Sequence, residues 1–238
     1  MTESRIAAFF DIDGTIFRNS LLISHFNKLI QYEVFPHDLK DKIQPFYRAW
    51  SDRELDYDDY MAHVAETYTE HLREKSVEDI DFVAKQTIEL EHKKLYCFTK
   101  ERLKWHREQG HLIVFISGSP HFLVSRLAKT LDCDLWFASK YLSENNKYTG
   151  EVIPMWNSAS KQKVLTELQQ TYNIDMSQSY AYGDTTGDIA LLTSIGHPTA
   201  FNPNQKLIHS LKDHDVAIVI ERKDVIYQGL TTKVSRET

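Results

Sequence analysis

Ile6-Ala7-Ala8-Phe9-Phe10-Asp11-Ile12-Asp13-Gly14-Thr15 carries an apolar run straight into two carboxylates and then into a turn-forming Gly-Thr. A short continuous apolar run that stops at glycine suits a parallel-sheet strand covered on both faces. Asp11 and Asp13 then stand at the carboxyl end of a buried strand, where open α/β sheets bind ligands. Alternate strand residues point to opposite faces, but the strand breaks at this pair, so both side chains can turn toward one cation or phosphate. An EF-hand calcium loop would need an acid at its third odd position and a glutamate at its twelfth; Thr15 and Leu22 occupy those places.

Three downstream segments add further polar groups, two of them in the same strand-then-polar-turn form. In Leu112-Ile113-Val114-Phe115-Ile116-Ser117-Gly118-Ser119-Pro120 an apolar strand ends at a serine in a glycine-containing turn, whose hydroxyl and N–H groups can bind a phosphate oxygen. Lys161 follows Asn157-Ser158-Ala159-Ser160 and opens the helical pattern Val164, Leu165, Leu168, placing a fixed positive charge where a phosphoryl group could meet it. Ser179-Tyr180-Ala181-Tyr182-Gly183-Asp184-Thr185-Thr186-Gly187-Asp188 reads as a strand, an acidic loop and a helix start, and brings Asp184 and Asp188 to another strand end. Each segment alone has a plainer reading: a turn with a helix cap, a solvated lysine, a capped helix. Together with a plain reading of the Asp11–Asp13 loop, they require four coincidences in fixed order.

Between Thr15 and Leu112 the pattern is helical throughout: Leu21, Leu22, Phe26, Leu29, Ile30; then Tyr57 through Leu72; then Ile80 through Leu95. Breaks are expected near Phe35-Pro36, near Gln44-Pro45 and at Ser76, where Ser76-Val77-Glu78-Asp79 has the form of a capping box with Asp in the Glu place. From Leu112 onward strands and helices alternate as far as residue 220, with a hairpin between Lys140 and Val152, and the tail after Tyr227 is polar and expected to fray. The fold class expected is α/β: a Rossmann-like parallel sheet with helices on both faces, plus an inserted all-helical module.

Composition sets outer bounds. The 238 residues are 42% hydrophobic and 26% charged, enough for a sizeable core. A net charge of −6 with no basic stripe argues against nucleic acid as a partner. Cys97 and Cys133 lack metal spacing and are expected to be reduced thiols. No apolar run reaches the ~18 residues of a membrane span, and the first residues lead directly into the first strand without room for a signal peptide, so no membrane partner and a cytoplasmic location are expected. Nothing in the sequence speaks to oligomeric state.

The Asp-x-Asp-Gly-Thr string, with Ser117, Lys161, Asp184 and Asp188 following in order, resembles the haloacid dehalogenase (HAD) superfamily, most of whose members are magnesium-dependent phosphatases. The helical insertion just after the first loop resembles the phosphoserine-phosphatase-like branch. The likeness covers residues 6–202 by motif and order, and the insertion only by place and helical character. It implies a catalytic core of residues 1–17 and 100–238 and a helical cap of residues 18–99. By the same resemblance Asp11 is the nucleophile and Asp13 the general acid and base. Thr15, Ser117, Gly118 and Lys161 bind phosphate, and Mg²⁺ is held by Asp11, Asp13 through its main-chain carbonyl, and Asp184, with Asp188 a ligand or its support. The expected partner is a small-molecule phosphate ester, hydrolysed through an aspartyl-phosphate. A phosphotransferase or mutase would use the same intermediate. A non-enzymatic phosphoacceptor switch of the receiver type is disfavoured, since receivers are shorter, carry their acceptor on a middle strand and lack a helical insertion. Arg18, Asn19, Ser20, Arg48 and Arg53 are the polar cap residues expected to be candidates for contact with the leaving group. The chain departs from the phosphoserine phosphatases at Ser20, where they carry a glutamate that meets the substrate ammonium, and at Gly187, where they carry asparagine. Phosphoserine is therefore expected to be a poor substrate.

Overall fold

The computed structural model describes residues 4–230. Strand β1 (Ala7–Phe10) is completely buried, as the leading apolar run requires. Five helices follow before the next strand: α1 (Leu21–Gln31), α2 (Leu39–Ser51), α3 (Tyr57–Leu72), α4 (Val77–Glu91) and α5 (Cys97–Glu108). Then come β2 (Leu112–Pro120), α6 (His121–Thr130), β3 (Leu135–Glu144), β4 (Lys147–Ile153), α7 (Ser158–Tyr172) and β5 (Tyr180–Gly183). A single 3₁₀ turn, Thr186–Asp188, leads into α8 (Ile189–Ser194), followed by β6 (His197–Phe201), α9 (Gln205–Ser210), β7 (Ala217–Arg222) and β8 (Val225–Leu230).

The eight strands form one sheet in the order β4-β3-β2-β1-β5-β6-β7-β8. The six inner strands are parallel, and antiparallel hairpins close both edges. Strand alternation divides the core between the two faces: Ala7, Phe9, Val114 and Ile116 pack with Val164, Leu165 and Leu191 on one side. Ala8, Phe10, Ile113 and Phe115 face the other. The buried residues of α1, α3 and α4, among them Leu29, Val64, Tyr68 and Val83, are continuous with that second cluster. Strand β1 lies between β2 and β5, with Phe10 in register with both Phe115 and Tyr182. The chain's crossovers run outward from β1 in both directions, so the crevice at its carboxyl end is the switch point where such sheets bind ligands.

Three local readings are corrected. Pro45 lies inside α2 and does not end it. Pro45 and Asp41, whose carbonyl it leaves unpaired, are both exposed, so solvent can replace the lost helical bond. Strand β2 continues through Ser117 to Pro120 and does not turn at Ser117; a register shift against β3 between those residues supplies the local bend. The chain after Tyr227 is strand as far as Leu230, because β8 turns back on β7 through Lys223, at φ +58°. No glycine or asparagine marks that turn, and the rest of the tail lies outside the described residues. At Ser76 the expected cap is present, its hydroxyl accepting from the N–H groups of Glu78 and Asp79. The loop carrying it pairs with the β3–β4 hairpin through Glu74 N to Tyr148 O at 2.8 Å and Val77 N to Asn146 O at 3.0 Å. Among the described residues no helix is long and apolar enough to cross a membrane.

Candidate active site

The loop after β1 is a tight knot: the N–H groups of Thr15, Ile16 and Phe17 all reach the carbonyl of Ile12. Gly14 sits at φ +82°, and a Cβ there would stand 2.1 Å from Asp184 Oδ2. Only glycine lets this loop approach the next acidic loop so closely. The pleat then breaks, and Asp11 and Asp13 both face one cavity.

Asp11 is 6% exposed and Lys161 2%; Lys161 Nζ donates to Asp11 Oδ1 and to Asp188 Oδ1, both at 2.6 Å. Asn157 brings the lysine there by capping α7, its side chain accepting from Ser160 N at 2.8 Å. Asp188, fully buried, is a hub. Its other oxygen, Oδ2, accepts from the N–H groups of Asp184 and Thr185, both at 3.1 Å, and so holds the acidic loop in shape. Carboxylate oxygens of Asp11, Asp184 and Asp188 lie within 4.8 Å of one another.

The electrostatics follow from crowding. Burial pushes Asp11 well above the usual carboxylate range; Lys161 opposes the rise, and Asp188 and Asp13 add to it. Asp184 is raised in the same way by burial, then by Asp11 and Asp188. For Lys161 burial works against the charge, but the two carboxylates outweigh it and hold its pKa above the ordinary lysine value. Asp13 is also raised by burial, against the hydrogen bonds that favour its charge. Those bonds come from Leu21 N to Oδ1 and from Ser119 Oγ to Oδ2, both at 2.6 Å, with Ser117 Oγ at 3.3 Å.

The expected phosphate groups divide. Lys161 and Gly118 face the cavity. Ser117 is buried with its hydroxyl turned to Asp13, and Thr15 is buried with its hydroxyl donating to Asp184 Oδ1 at 3.2 Å. Both brace carboxylates and line no part of the cavity. Ser119, which sequence reasoning passed over, does line it and makes the shorter bond to Asp13; its signal was its place in the same Ser-Gly-Ser string. Of the polar candidates after β1, only Ser20 reaches the cavity, where its hydroxyl also caps α1 by accepting from Ile23 N at 3.3 Å. Arg18, Asn19, Arg48 and Arg53 are exposed and outside it. Arg18 lies over the Tyr96 ring, 5.9 Å from its centroid. Arg53 takes φ +64° in the turn after α2, and Arg48 borders a shallow surface depression with Asp41 and Asp52.

Gly187 has a steric reason that no sequence pattern carries. A Cβ there would stand 2.5 Å from the Trp156 carbonyl oxygen, and one at Gly118 would stand 2.8 Å from Trp156 Cβ. The Trp156 segment thus packs on two glycines that flank the carboxylates. Tyr57, at the start of α3, also enters the cavity; burial and then the neighbouring Asp184, Asp13 and Asp11 raise its hydroxyl well above the usual range.

Carboxylates gathered at the switch point of a parallel sheet, with a buried lysine between them, define an α/β site suited to handling an anionic group or a cation. The chain belongs to the haloacid dehalogenase-like hydrolase family, whose sequence profile matches residues 8–193. It is 24% identical over 209 residues to a Mycobacterium tuberculosis protein named "Probable phosphatase Rv3661", covering 86% of this chain and 71% of that one. Over 103 residues it is 24% identical to a phosphoserine phosphatase of Methanocaldococcus jannaschii, covering 43% of this chain and 49% of that enzyme. Its fold matches that of a phosphoserine phosphatase solved as a phospho-aspartyl intermediate analogue, with TM-score 0.65 and 17% identity over 93% of this chain and 96% of the other.

Proposed function

We propose that this protein is a Mg²⁺-dependent phosphomonoesterase working through an aspartyl-phosphate on Asp11. The observation that carries the reading is the placement of Asp11 between a buried lysine and a second acidic loop, with Asp13 beside it on the same cavity wall.

The donor set suits Mg²⁺: every donor is an oxygen, the carboxylates among them are buried and close together, and the raised pKa values of Asp11 and Asp184 mark a place that favours added positive charge. Asp11 and Asp184 are the side chains we assign to hold the ion, with the main-chain carbonyl of Asp13. Asp188 already accepts from Lys161 and two backbone N–H groups, so its part is to brace the loop. When bound, Mg²⁺ supplies charge neutralisation between the carboxylates and the phosphoryl oxygens.

The remaining chemistry belongs to the chain. A carboxylate oxygen of Asp11 forms a bond to phosphorus as the ester P–O bond breaks, with Lys161 offsetting the phosphoryl charge and the groups at Gly118 and Ser119 bordering it. Asp13 gives its proton to the departing alkoxide, a task that burial favours by raising its pKa from the ordinary carboxylate value. Water then attacks phosphorus, Asp13 takes the water's proton, and Asp11 is released as a carboxylate with inorganic phosphate. Residues 18–99 serve as a cap that sets the leaving group, over a core of residues 1–17 and 100–238.

Release of p-nitrophenolate from p-nitrophenyl phosphate, with and without EDTA and with Mg²⁺ restored, tests this reading. Turnover that chelation abolishes and Mg²⁺ restores supports it. Turnover indifferent to exhaustive chelation sinks the metal assignment.

A further inference from the structure

The cavity that holds Asp11 and Asp13 is much longer than a phosphoamino acid needs. Its volume is about 960 Å³, near the top of the ~300–1,000 Å³ range of sites that enclose drug-sized ligands. Helix α3 forms one wall along its whole length, from Tyr57 at its first residue to Arg73 just past its last. At ~1.5 Å per residue those sixteen steps cover about 24 Å. Two small residues on this helix, Ala62 and Ala65, leave the bore open. Leu22, Met61 and Val152 make its walls apolar, with the rings of Tyr141 and Trp156. Charge beyond the phosphate end is mainly negative: Asp58, Glu66 and Glu70 border it, and Arg73 is its one cation besides Lys161 among the described residues. Asp58 is already engaged by Thr186 Oγ1 at 3.1 Å and Asn204 Nδ2 at 3.2 Å, which fixes the start of α3 against the loop after β5. A second phosphate or a carboxylate on the leaving group would meet that acidic border.

Resting on the phosphatase reading above, we infer that the preferred substrate is a phosphomonoester whose leaving group is an extended, largely apolar chain, lying along α3 past Ala62 and Ala65 toward Arg73. The phosphate is held at Lys161, and the chain displaces water from the Met61–Val152 wall. Recognition then comes mostly from burying apolar surface, at about threefold to fourfold in affinity for each methylene.

The test is a homologous series from ethyl to octyl phosphate, run beside phosphoserine and a bisphosphate. Affinities of the matching alkylphosphonates, which cannot be hydrolysed at the P–C bond, are measured by calorimetry. With about half of the six added methylenes fully buried, kcat/KM rises roughly thirtyfold to sixtyfold from ethyl to octyl. Phosphonate affinity follows, and the bisphosphate ranks low. Ala65→Phe narrows the bore, so the octyl-to-ethyl ratio falls more than tenfold; Ala62→Phe is the second variant if the first does not fold. A flat series in both rate and affinity, with p-nitrophenyl phosphate still turned over, overturns this inference and leaves the phosphatase reading standing. Affinity that rises with chain length, with no ester of any kind hydrolysed, keeps the channel and overturns the phosphatase reading.

Discussion

Lys161→Met removes the one cation among the described residues that contacts two of the buried carboxylates, and its cost can be worked from the geometry. Lys161 Nζ stands 2.6 Å from an oxygen of Asp11 and 2.6 Å from one of Asp188, with all three side chains no more than 9% exposed. Screening by solvent is therefore small, unlike that of an exposed ion pair. Methionine keeps the volume of the stem but leaves Asp11 and Asp188 facing each other without a counter-charge. Breaking a buried pair in this way costs about 3–5 kcal/mol. Turnover falls too, by about 10²–10³, the usual loss when one preorganised group that meets developing charge is removed. The assay is urea unfolding followed by circular dichroism at pH 7 in Mg²⁺-free buffer, alongside p-nitrophenyl phosphate hydrolysis with Mg²⁺. Added Mg²⁺ recovers part of the lost stability, since an ion that binds only the folded state stabilises it by mass action. A variant within about 1 kcal/mol of wild type in the absence of metal would refute the claim that this lysine neutralises the cluster.

Gly14→Ala places a Cβ 2.1 Å from Asp184 Oδ2 in a left-handed conformation, so Asp184 is displaced and the Mg²⁺ concentration for half-maximal activity rises at least tenfold; an unchanged Mg²⁺ titration would contradict the close approach. Asp13→Asn slows alkyl phosphates by about 10²–10⁴ and p-nitrophenyl phosphate much less, because p-nitrophenolate leaves without a proton; equal losses on both would remove Asp13 from the acid's role. His106 is buried and neutral, its ring held between Tyr182 Oη at 2.9 Å and His111 Nδ1 at 2.8 Å, and burial followed by Arg102 lowers its pKa to about 3. A histidine depressed in the folded state takes up its proton only on unfolding, so its contribution is intact above pH ~6.5 and is lost as pH falls from there toward 3. At pH 5 the loss is at most about 2 kcal/mol, and His106→Gln should flatten that part of the stability profile; an identical pH dependence in the variant would refute the assignment.

What the sequence made legible is what repeats along it. The apolar runs before Asp11 and Asp184 each announce a strand end, the run before Ser117 announces a strand though not its end, and alternation downstream of Leu112 announces the parallel sheet. Order alone therefore brought Asp11, Asp13, Lys161, Asp184 and Asp188 to one crevice. Contacts across the fold were not legible, because they depend on distances between segments remote in sequence. The Ser117 hydroxyl is turned to Asp13, a residue 104 positions away, and no local pattern announces that contact. At Gly187 the Trp156 carbonyl fills the space a side chain would need, a packing fact between residues thirty-one apart. The arginines at 18, 48 and 53, candidates as polar residues of the cap, are exposed to solvent. Arg73, which does border the cavity, lies at the opposite end of α3. Pro45 misled because a proline on an exposed helix face costs less than one in a core.

The central claim is that Asp11 carries the phosphoryl group. Rapid quenching in acid during turnover of a ³²P-labelled phosphomonoester, followed by peptide mass spectrometry, tests it most directly. The account predicts a phosphoryl adduct on the peptide containing Asp11, sensitive to hydroxylamine, that forms in the wild type and is absent from Asp11→Asn, which is inactive. An adduct on another residue, or steady turnover by a folded Asp11→Asn protein, would contradict it.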